Sequence, residues 1–148
     1  MHPYPHTYRV GASATGTGPV AIAADGLATI PSQPPPEFDG PGGAWSPETL
    51  LTAAVADCFV LSFRAVSRAS RFEWLALDCQ VEGVLERVEG AAQFSKFRTV
   101  ATLTVAPGSD AAKARLLLEK SEHVCLIANS LKAARELTTH VVERPTAG

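Results

Sequence analysis

Residues 46–68 read SPETLLTAAVADCFVLSFRAVSR, and this stretch predicts the central helix of the fold. Ser46 can cap a helix, Pro47 suits its first turn, and Glu48 favours the positive end of the helix dipole. Residues 50–63 are apolar with few exceptions, so almost no polar face remains. Because a helix that is apolar nearly all round is buried on several sides, we expect sheets to surround it, from this chain or from a second copy.

The composition is that of one globular domain. The chain has 148 residues, of which 46% are hydrophobic, and a length near 150 residues is usual for a single domain. Thirteen Lys and Arg against fifteen Asp and Glu give a net charge of −2. Without a basic excess, binding to nucleic acid is not expected. We therefore predict a single domain over residues 1–148 with no nucleic-acid partner.

No targeting signal is predicted. The N-terminus, MHPYPHTYRV, lacks a basic segment followed by an apolar one, unlike a signal peptide. The apolar stretch at residues 50–63 is too short to span a bilayer. Three cysteines are too few, and odd in number, for a secreted disulfide framework. We expect a cytoplasmic protein with no membrane partner.

The remaining pattern predicts an α+β fold. Alternating apolar residues in 75–89 and 94–106 predict a long antiparallel hairpin, with an irregularity near Gly83. The Pro-rich residues 31–43 predict a loop that is long for a plain connection. In chain order, strands are predicted at 8–14, 20–23, 27–30, 75–89, 94–106 and 138–142, and helices at 46–68, 111–121 and 124–136.

Cys58 lies in the middle of the apolar stretch and shares a helix face with Leu51 and Ala54. An apolar setting raises the pKa of a thiol and leaves it unreactive. To react, Cys58 needs a cation or hydrogen-bond donors nearby, and the sequence suggests none within one helical turn. Its spacing alone therefore favours a packed thiol.

Cys125 and Cys79 lie in different settings. A helix starting near Val124 places Cys125 in its first turn, where free backbone N–H groups and the helix dipole lower the pKa of a thiol. The apolar neighbours Leu126 and Ile127 favour burial instead, so both a reactive and a packed Cys125 stay open. Cys79 alternates with apolar strand residues and is predicted to lie in the core.

No metal or cofactor site is predicted. The cysteines form no C-x-x-C pair, and His123 with Cys125 gives only two close ligands, so structural zinc is not expected. No glycine-rich phosphate loop is present in the sequence. Asp57, beside Cys58 but on another helix face, is expected to be satisfied locally or at an interface.

Two segments together resemble the OsmC/Ohr family, the osmotically inducible and organic-hydroperoxide-resistance proteins. Residues 46–59 are similar to the family's Pro-Glu-x-Leu helix start, its Ala-rich turn and its Ala-Cys-Phe-like end. Residues 123–125, with Asn129, are similar to the start of the family's second cysteine helix. The glycine-rich approach in residues 38–43 also matches. The resemblance therefore covers nearly the whole chain.

The resemblance implies antiparallel sheets that wrap buried, cysteine-bearing helices in an intertwined homodimer. It implies a thiol-dependent peroxidase, in which Cys58 attacks the O–O bond of an organic hydroperoxide and becomes a sulfenic acid. Cys125 would resolve this acid as a disulfide. Glu48 matches the carboxylate that organises the family's site. The implied substrates are alkyl or fatty-acid hydroperoxides, and the implied reductant is an external dithiol or a lipoylated protein.

This chain lacks the arginine that activates the first cysteine of the family. The two places where the family carries it read ATGTGP at 14–19 and EFDG at 37–40. Arg9, Lys96 and Arg98, of this chain or of a partner, are candidates to replace it. Because a desolvated thiolate without a cation loses its main stabiliser, a second hypothesis stays open. It is a non-catalytic OsmC-fold protein that binds a small apolar or lipid-like ligand.

Overall fold

The structure, a computed structural model, describes residues 1–145. The chain divides into two compact units, residues 1–50 and residues 51–148. Each unit contains one three-stranded sheet. The predicted α+β class is confirmed, whereas the single domain over residues 1–148 stays a prediction.

The sheet of the first unit is antiparallel. Its strands are β1 (Gly11–Ser13), β2 (Val20–Ala23) and β3 (Ile30–Ser32), in the order β1-β2-β3. The strand predicted at 27–30 begins only at Ile30. A turn, closed by a hydrogen bond from the Leu27 N–H to the Ala24 carbonyl, includes the first predicted residue. Its continuation through a proline is compatible with β3 being an edge strand.

The Pro-rich segment after β3 is compact. A single 3-10 turn, Pro36–Phe38, ends at Asp39, which has a φ of 59°. A Cβ on Gly40 would overlap the carbonyl of Pro34, so only glycine fits there. The segment also makes a backbone hydrogen bond of 2.8 Å from the Gln33 N–H to the carbonyl of Trp45. These contacts give the long loop a defined local structure.

The central helix α1 spans Pro47–Ala69, close to the predicted 46–68. Its start is fixed by a reciprocal cap. The Thr49 N–H donates to Ser46 Oγ at 3.2 Å, and the Ser46 N–H donates to Thr49 Oγ1 at 2.8 Å. This arrangement satisfies donors that a helix start leaves free. The predicted role of Ser46 is confirmed.

Helix α1 is buried on one face only within the described chain. Val55, Phe59, Phe63 and Val66 are buried, whereas Leu61 on another face is 52% exposed. Burial on several sides, as the sequence suggests, is therefore not achieved by this chain alone. By length and composition the 23-residue helix is also long enough to cross a membrane, a criterion that core helices of soluble proteins meet as well.

The sheet of the second unit is mixed. Strands β4 (Ala76–Val88) and β5 (Ala91–Val105) form the predicted antiparallel hairpin, and β6 (Ala134–Glu143) pairs with β5 in parallel. The expectation of antiparallel sheets is therefore wrong for the pairing of β5 with β6. The reason is the helical crossover between β5 and β6, which returns the chain to the same end of the sheet.

The predicted irregularity of the hairpin is present one residue from its expected place. The register shifts between Val84 and Leu85. The neighbouring Gly83 lies against α1, where an added Cβ would come within 2.9 Å of Thr52 Oγ1 and of a Phe94 ring carbon. The glycine thus lets the strand approach the helix closely.

Helix α2 (Ala111–Val124) and the short helix α3 (Leu126–Asn129) form the crossover. Asp110 caps α2, since its Oδ1 accepts from the Lys113 N–H at 3.0 Å. The helix predicted at 124–136 is wrong beyond residue 129. Ala134 already pairs with β5, so β6 begins there rather than at residue 138. Pairing of β6 with residues 96–105 of β5 overrides the local helical pattern.

The core of the second unit lies between α1, α2 and the inner face of the mixed sheet. Phe63 and Leu118 are fully buried in it. Cys79 packs against this core as a partly buried side chain, which confirms its predicted place. The remaining buried members are Phe59, Val66, Ala101, Leu103, Val105, Ala114 and Leu117.

Candidate active site

Cys58 opens into a mostly apolar cavity of about 450 Å³ in the second unit. Asp57 is the one charged residue among those that line it. The two elements that form the cavity are α1 and the start of α3. The lining residues are Ala54, Asp57, Cys58, Leu61, Ser62, Ala65, Leu126 and Ile127. A cavity of this size and character suits a small apolar molecule placed against the thiol.

Ser62 lies one helical turn after Cys58 and contacts its thiol. The distance between Ser62 Oγ and Cys58 Sγ is 3.9 Å. When Cys58 is a thiolate, its sulfur has no proton, so the serine hydroxyl must be the donor. The expectation that no donor lies within one turn is therefore wrong. The four-residue spacing was the signal in the sequence that pointed to it.

Cys125 lies at the break between α2 and α3. Its φ of −63° and ψ of 102° are extended, so it ends one helix and caps the next instead of lying in a first turn. Its side chain is 1% exposed. The burial that its apolar neighbours suggest is confirmed.

Burial also dominates the acidity of Cys125. The pKa of the Cys125 thiol is raised from 9.0 to about 11. Burial is the largest cause, and the Cys58 thiol and the Glu122 carboxylate make smaller contributions. The backbone N–H of Ala128 hydrogen-bonds to the thiol and lowers this pKa. The predicted effect of the helix start is thus present, but desolvation outweighs it.

The thiols of Cys58 and Cys125 interact directly. A side-chain hydrogen bond and a charge interaction from Cys58 both raise the pKa of Cys125. The hydrogen bond therefore joins the two thiols and favours the protonated form of Cys125. Both cysteines are free in this structure. The fold therefore places the two predicted redox residues side by side.

Cys79 is a poorer candidate for reaction. Burial, with smaller contributions from the charges of Asp78, Glu122 and Cys125, raises its pKa from 9.0 to about 12. A thiol of this kind is almost entirely protonated at neutral pH. Its position in the core therefore agrees with a packing role.

The cations proposed to replace the missing arginine are engaged elsewhere or lie in the first unit. Arg98 pairs with Glu82 at 2.6 Å and with Glu136 at 3.2 Å, and Lys96 pairs with Glu136 at 3.3 Å. Arg9 belongs to the first unit. Among residues 1–145 no Lys or Arg lines the Cys58 cavity.

Glu48 lines a cavity formed within the first unit. That cavity has a volume of about 400 Å³, and its other lining residues come from the first sheet, the Pro-rich loop and the start of α1. They are Val20, Ser32, Gln33, Pro34, Pro35, Phe38 and Pro47. The organising role that the resemblance implies for Glu48 stays a prediction.

No metal centre is found in the part of the chain that the structure describes. There, no group of three His, Cys, Asp or Glu side chains is arranged to hold an ion. Separately, Cys58 and Cys125 place two free thiols next to each other, and thiol–disulfide exchange uses such an arrangement.

The protein therefore has an α+β fold with two neighbouring cysteines. Cys58 lies on helix α1, and Cys125 lies at the break between α2 and α3. Residues 40–140 match the family of OsmC-like proteins. The chain belongs to that family, as the sequence motifs indicate.

Related proteins agree with this assignment. The uncharacterized protein YmaD of Bacillus subtilis (strain 168) is 29% identical over 106 residues, which cover 70% of this chain and 71% of YmaD. An organic hydroperoxide resistance protein OsmC from Legionella pneumophila has a TM-score of 0.72 at 24% identity, covering 95% of this chain and 99% of that chain. An OsmC-like protein from Mycoplasma pneumoniae has a TM-score of 0.81 at 12% identity, covering 94% and 99%. These structures share the fold.

Proposed function

We propose that this protein is a thiol-dependent peroxidase that reduces organic hydroperoxides with Cys58 and Cys125. The observation that carries the proposal is the contact between the two thiols, with Cys58 facing an apolar cavity and Cys125 buried behind it. Membership of the OsmC-like family, with structural relatives named organic hydroperoxide resistance proteins, supports it.

The reaction has two steps on the protein. The Cys58 thiolate attacks one oxygen of the hydroperoxide, an S–O bond forms, the O–O bond breaks, and the alkoxide leaves and takes a proton as an alcohol. The Cys125 thiol loses its proton and attacks the sulfur of the Cys58 sulfenic acid. An S–S bond then forms while hydroxide leaves and becomes water. An external dithiol or a lipoylated protein reduces the disulfide.

Two hydrogen-bond donors support the Cys58 thiolate in place of an arginine. Ser62 Oγ lies 3.9 Å from Cys58 Sγ, and the Cys125 thiol hydrogen-bonds to Cys58. Hydrogen bonds to the charged form of an acid favour that form. A partially exposed thiol with two donors is therefore a workable nucleophile without a cation from this chain.

A homodimer is part of the proposal. Leu61 on α1 and Leu126 on α3 are 52% and 66% exposed, and both line the Cys58 cavity. Apolar side chains next to a thiol that forms a sulfenic acid need cover from water, and a second copy of α1 would supply it. Size-exclusion chromatography with light scattering tests this, and a monomer at micromolar concentration would contradict it.

Stopped-flow oxidation by cumene hydroperoxide tests the catalytic proposal. We expect the wild type to lose thiol much faster than free cysteine does, Cys58→Ser to abolish the fast phase, and Cys79→Ser to retain it as the matched control. Cys125→Ser should stop at a sulfenic acid that dimedone traps. If the wild type reacts no faster than free cysteine, the peroxidase proposal fails.

The absence of a lining Lys or Arg favours one alternative, a protein that binds a small apolar or lipid-like ligand without chemistry. Native mass spectrometry after incubation with a long-chain alcohol separates the two. Retention of the alcohol by a protein that is inert toward cumene hydroperoxide would support the alternative.

For Glu48, the exchange Glu48→Gln is expected to slow Cys58 oxidation if the role implied by the family holds.

A further inference from the structure

Arg135 makes a fork of contacts behind Cys125. Its Nε donates to Glu122 Oε1 at 2.7 Å, one terminal nitrogen donates to the Glu122 carbonyl, and the other donates to Asn129 Oδ1 at 2.7 Å. The side chains of Arg135 and Glu122 are 27% and 18% exposed, the least exposed of the ion pairs among residues 1–145. Charge-assisted contacts at low exposure are the stronger ones.

These contacts join the two helix ends that flank Cys125. Glu122 and His123 belong to the last turn of α2, and Asn129 ends α3. Asn129 Nδ2 also donates to the carbonyl of His123 at 3.0 Å. The last carbonyls of a helix lack partners within it, so Arg135 and Asn129 satisfy the end of α2 and tie it to α3. Cys125 is held at the break between the joined ends.

Strand β6 aims Arg135 toward the helices. Along β6 the half-buried positions are 135, 137, 139 and 141, and the side chains of Leu137 and Val141 pack against the core. Arg135 shares this inner face because side chains alternate along a strand. Its register partner on β5 is the buried Phe97. The adjacent Glu136, with Arg98, belongs to the outer face.

The same contacts set the charge beside the thiol. The Glu122 carboxylate raises the pKa of Cys125. Arg135 pairs with that carboxylate at 2.7 Å and supplies its counter-charge. Loss of the guanidinium would therefore loosen the helix break, which displaces Cys125 from Cys58. It would also leave the Glu122 carboxylate without its counter-charge, which disfavours a Cys125 thiolate.

We propose that Arg135, with Asn129, is a positioning residue that sets the rate at which Cys125 forms a disulfide with Cys58. This inference rests on the proposed peroxidase function in one respect, namely that a hydroperoxide oxidises Cys58. The step it governs is attack of Cys125 on the oxidised Cys58 sulfur. The first step, oxidation of Cys58, does not depend on it.

The test compares Arg135→Met with Arg98→Met, a matched exchange of an ion-paired arginine on the outer face of the same sheet. With cumene hydroperoxide, dimedone trapping should show Cys58 sulfenic acid forming at the wild-type rate in both variants. Disulfide formation should slow in Arg135→Met alone, by roughly 10- to 100-fold, as expected for a displaced reactive group. Arg135→Lys should recover only part of the rate, because an ammonium cannot reproduce the fork.

A second oxidant separates this inference from the proposed function. Diamide accepts two electrons and two protons from a pair of thiols and forms the disulfide without any peroxide. If the wild type is inert to cumene hydroperoxide but Arg135→Met slows the diamide reaction, the peroxidase proposal fails and the positioning role stands. Disulfide formation at the wild-type rate with both oxidants would overturn the role. Should Arg135→Met fail to fold, Asn129→Ala, which removes one contact of the cluster, gives the same comparison.

Discussion

The buried Cys125 thiol should be nearly inert at neutral pH and titrate only in strong alkali. Its pKa is raised from 9.0 to about 11, chiefly by burial. At pH 7 the thiolate then makes up roughly one site in ten thousand, against roughly one in a hundred for a thiol at 9.0. Because the thiolate is the reacting species, alkylation of Cys125 should be slower than that of an exposed thiol by about 100-fold.

The assay is alkylation by iodoacetamide across pH 7–11, read by peptide mass for each cysteine. The Cys125 profile should rise with a midpoint near 11 in the wild type. In Cys58→Ser the midpoint should move down, because the hydrogen bond and the charge of Cys58 both raise the pKa. A wild-type midpoint at or below 9, or rapid alkylation at pH 7, would refute the burial argument.

The same shift predicts a pH dependence of stability. A group with a raised pKa in the folded state contributes stability that is complete below its unfolded pKa of 9.0 and is lost as the pH rises toward its folded pKa of about 11. Two pH units at about 1.4 kcal/mol each give a loss of about 3 kcal/mol over that window. Urea unfolding of wild type and Cys125→Ala should show the steeper decline in the wild type. Parallel declines in the two proteins would contradict the prediction.

Three further exchanges test the packing and the thiol site. Gly83→Ala should lower the free energy of unfolding by about 1–3 kcal/mol in urea titration, because its Cβ would come within 2.9 Å of Thr52 Oγ1. Unchanged stability would show that β4 can move away from α1. Phe63→Ala should lower it by about 3–5 kcal/mol, since the ring is fully buried, and a loss under 1 kcal/mol would contradict its place in the core. Ser62→Ala should slow oxidation of Cys58 by cumene hydroperoxide roughly 10-fold with unchanged stability, because one hydrogen bond to a charged group contributes about 1.5 kcal/mol. An unchanged rate would show that Ser62 does not support the reaction of Cys58.

Local signals predicted the elements that depend on local chemistry. The cap at Ser46 and the apolar run after it place α1 within one residue at each end. The alternation in 75–89 and 94–106 predicts the hairpin of β4 and β5. The segment after Cys125 was mispredicted because its structure depends on a distant strand. Ala134 is extended because it pairs with Lys96, and nothing in its neighbours encodes that pairing.

The site divides in the same way. The family resemblance singled out Cys58 and Cys125, and the fold brings them together. Ser62 was within reach of sequence reasoning, because residues four apart share a helix face. Arg135 was not, because its contacts with Glu122 and Asn129 need β6 to lie beside the end of α2. Long-range polar contacts leave no periodic trace in a sequence.

The order of the two oxidations follows from the way the thiols interact. Before oxidation, the high pKa of Cys125 keeps it protonated, so on the proposed mechanism it can donate a hydrogen bond to the Cys58 thiolate that attacks the peroxide. Once Cys58 becomes a sulfenic acid, it no longer carries the charge that raises the pKa of Cys125. The Ala128 N–H, which lowers that pKa, then acts against burial and the Glu122 carboxylate only. On the proposed mechanism Cys125 therefore becomes the better nucleophile only after Cys58 has reacted, and the downward shift expected in Cys58→Ser measures how large that gain is.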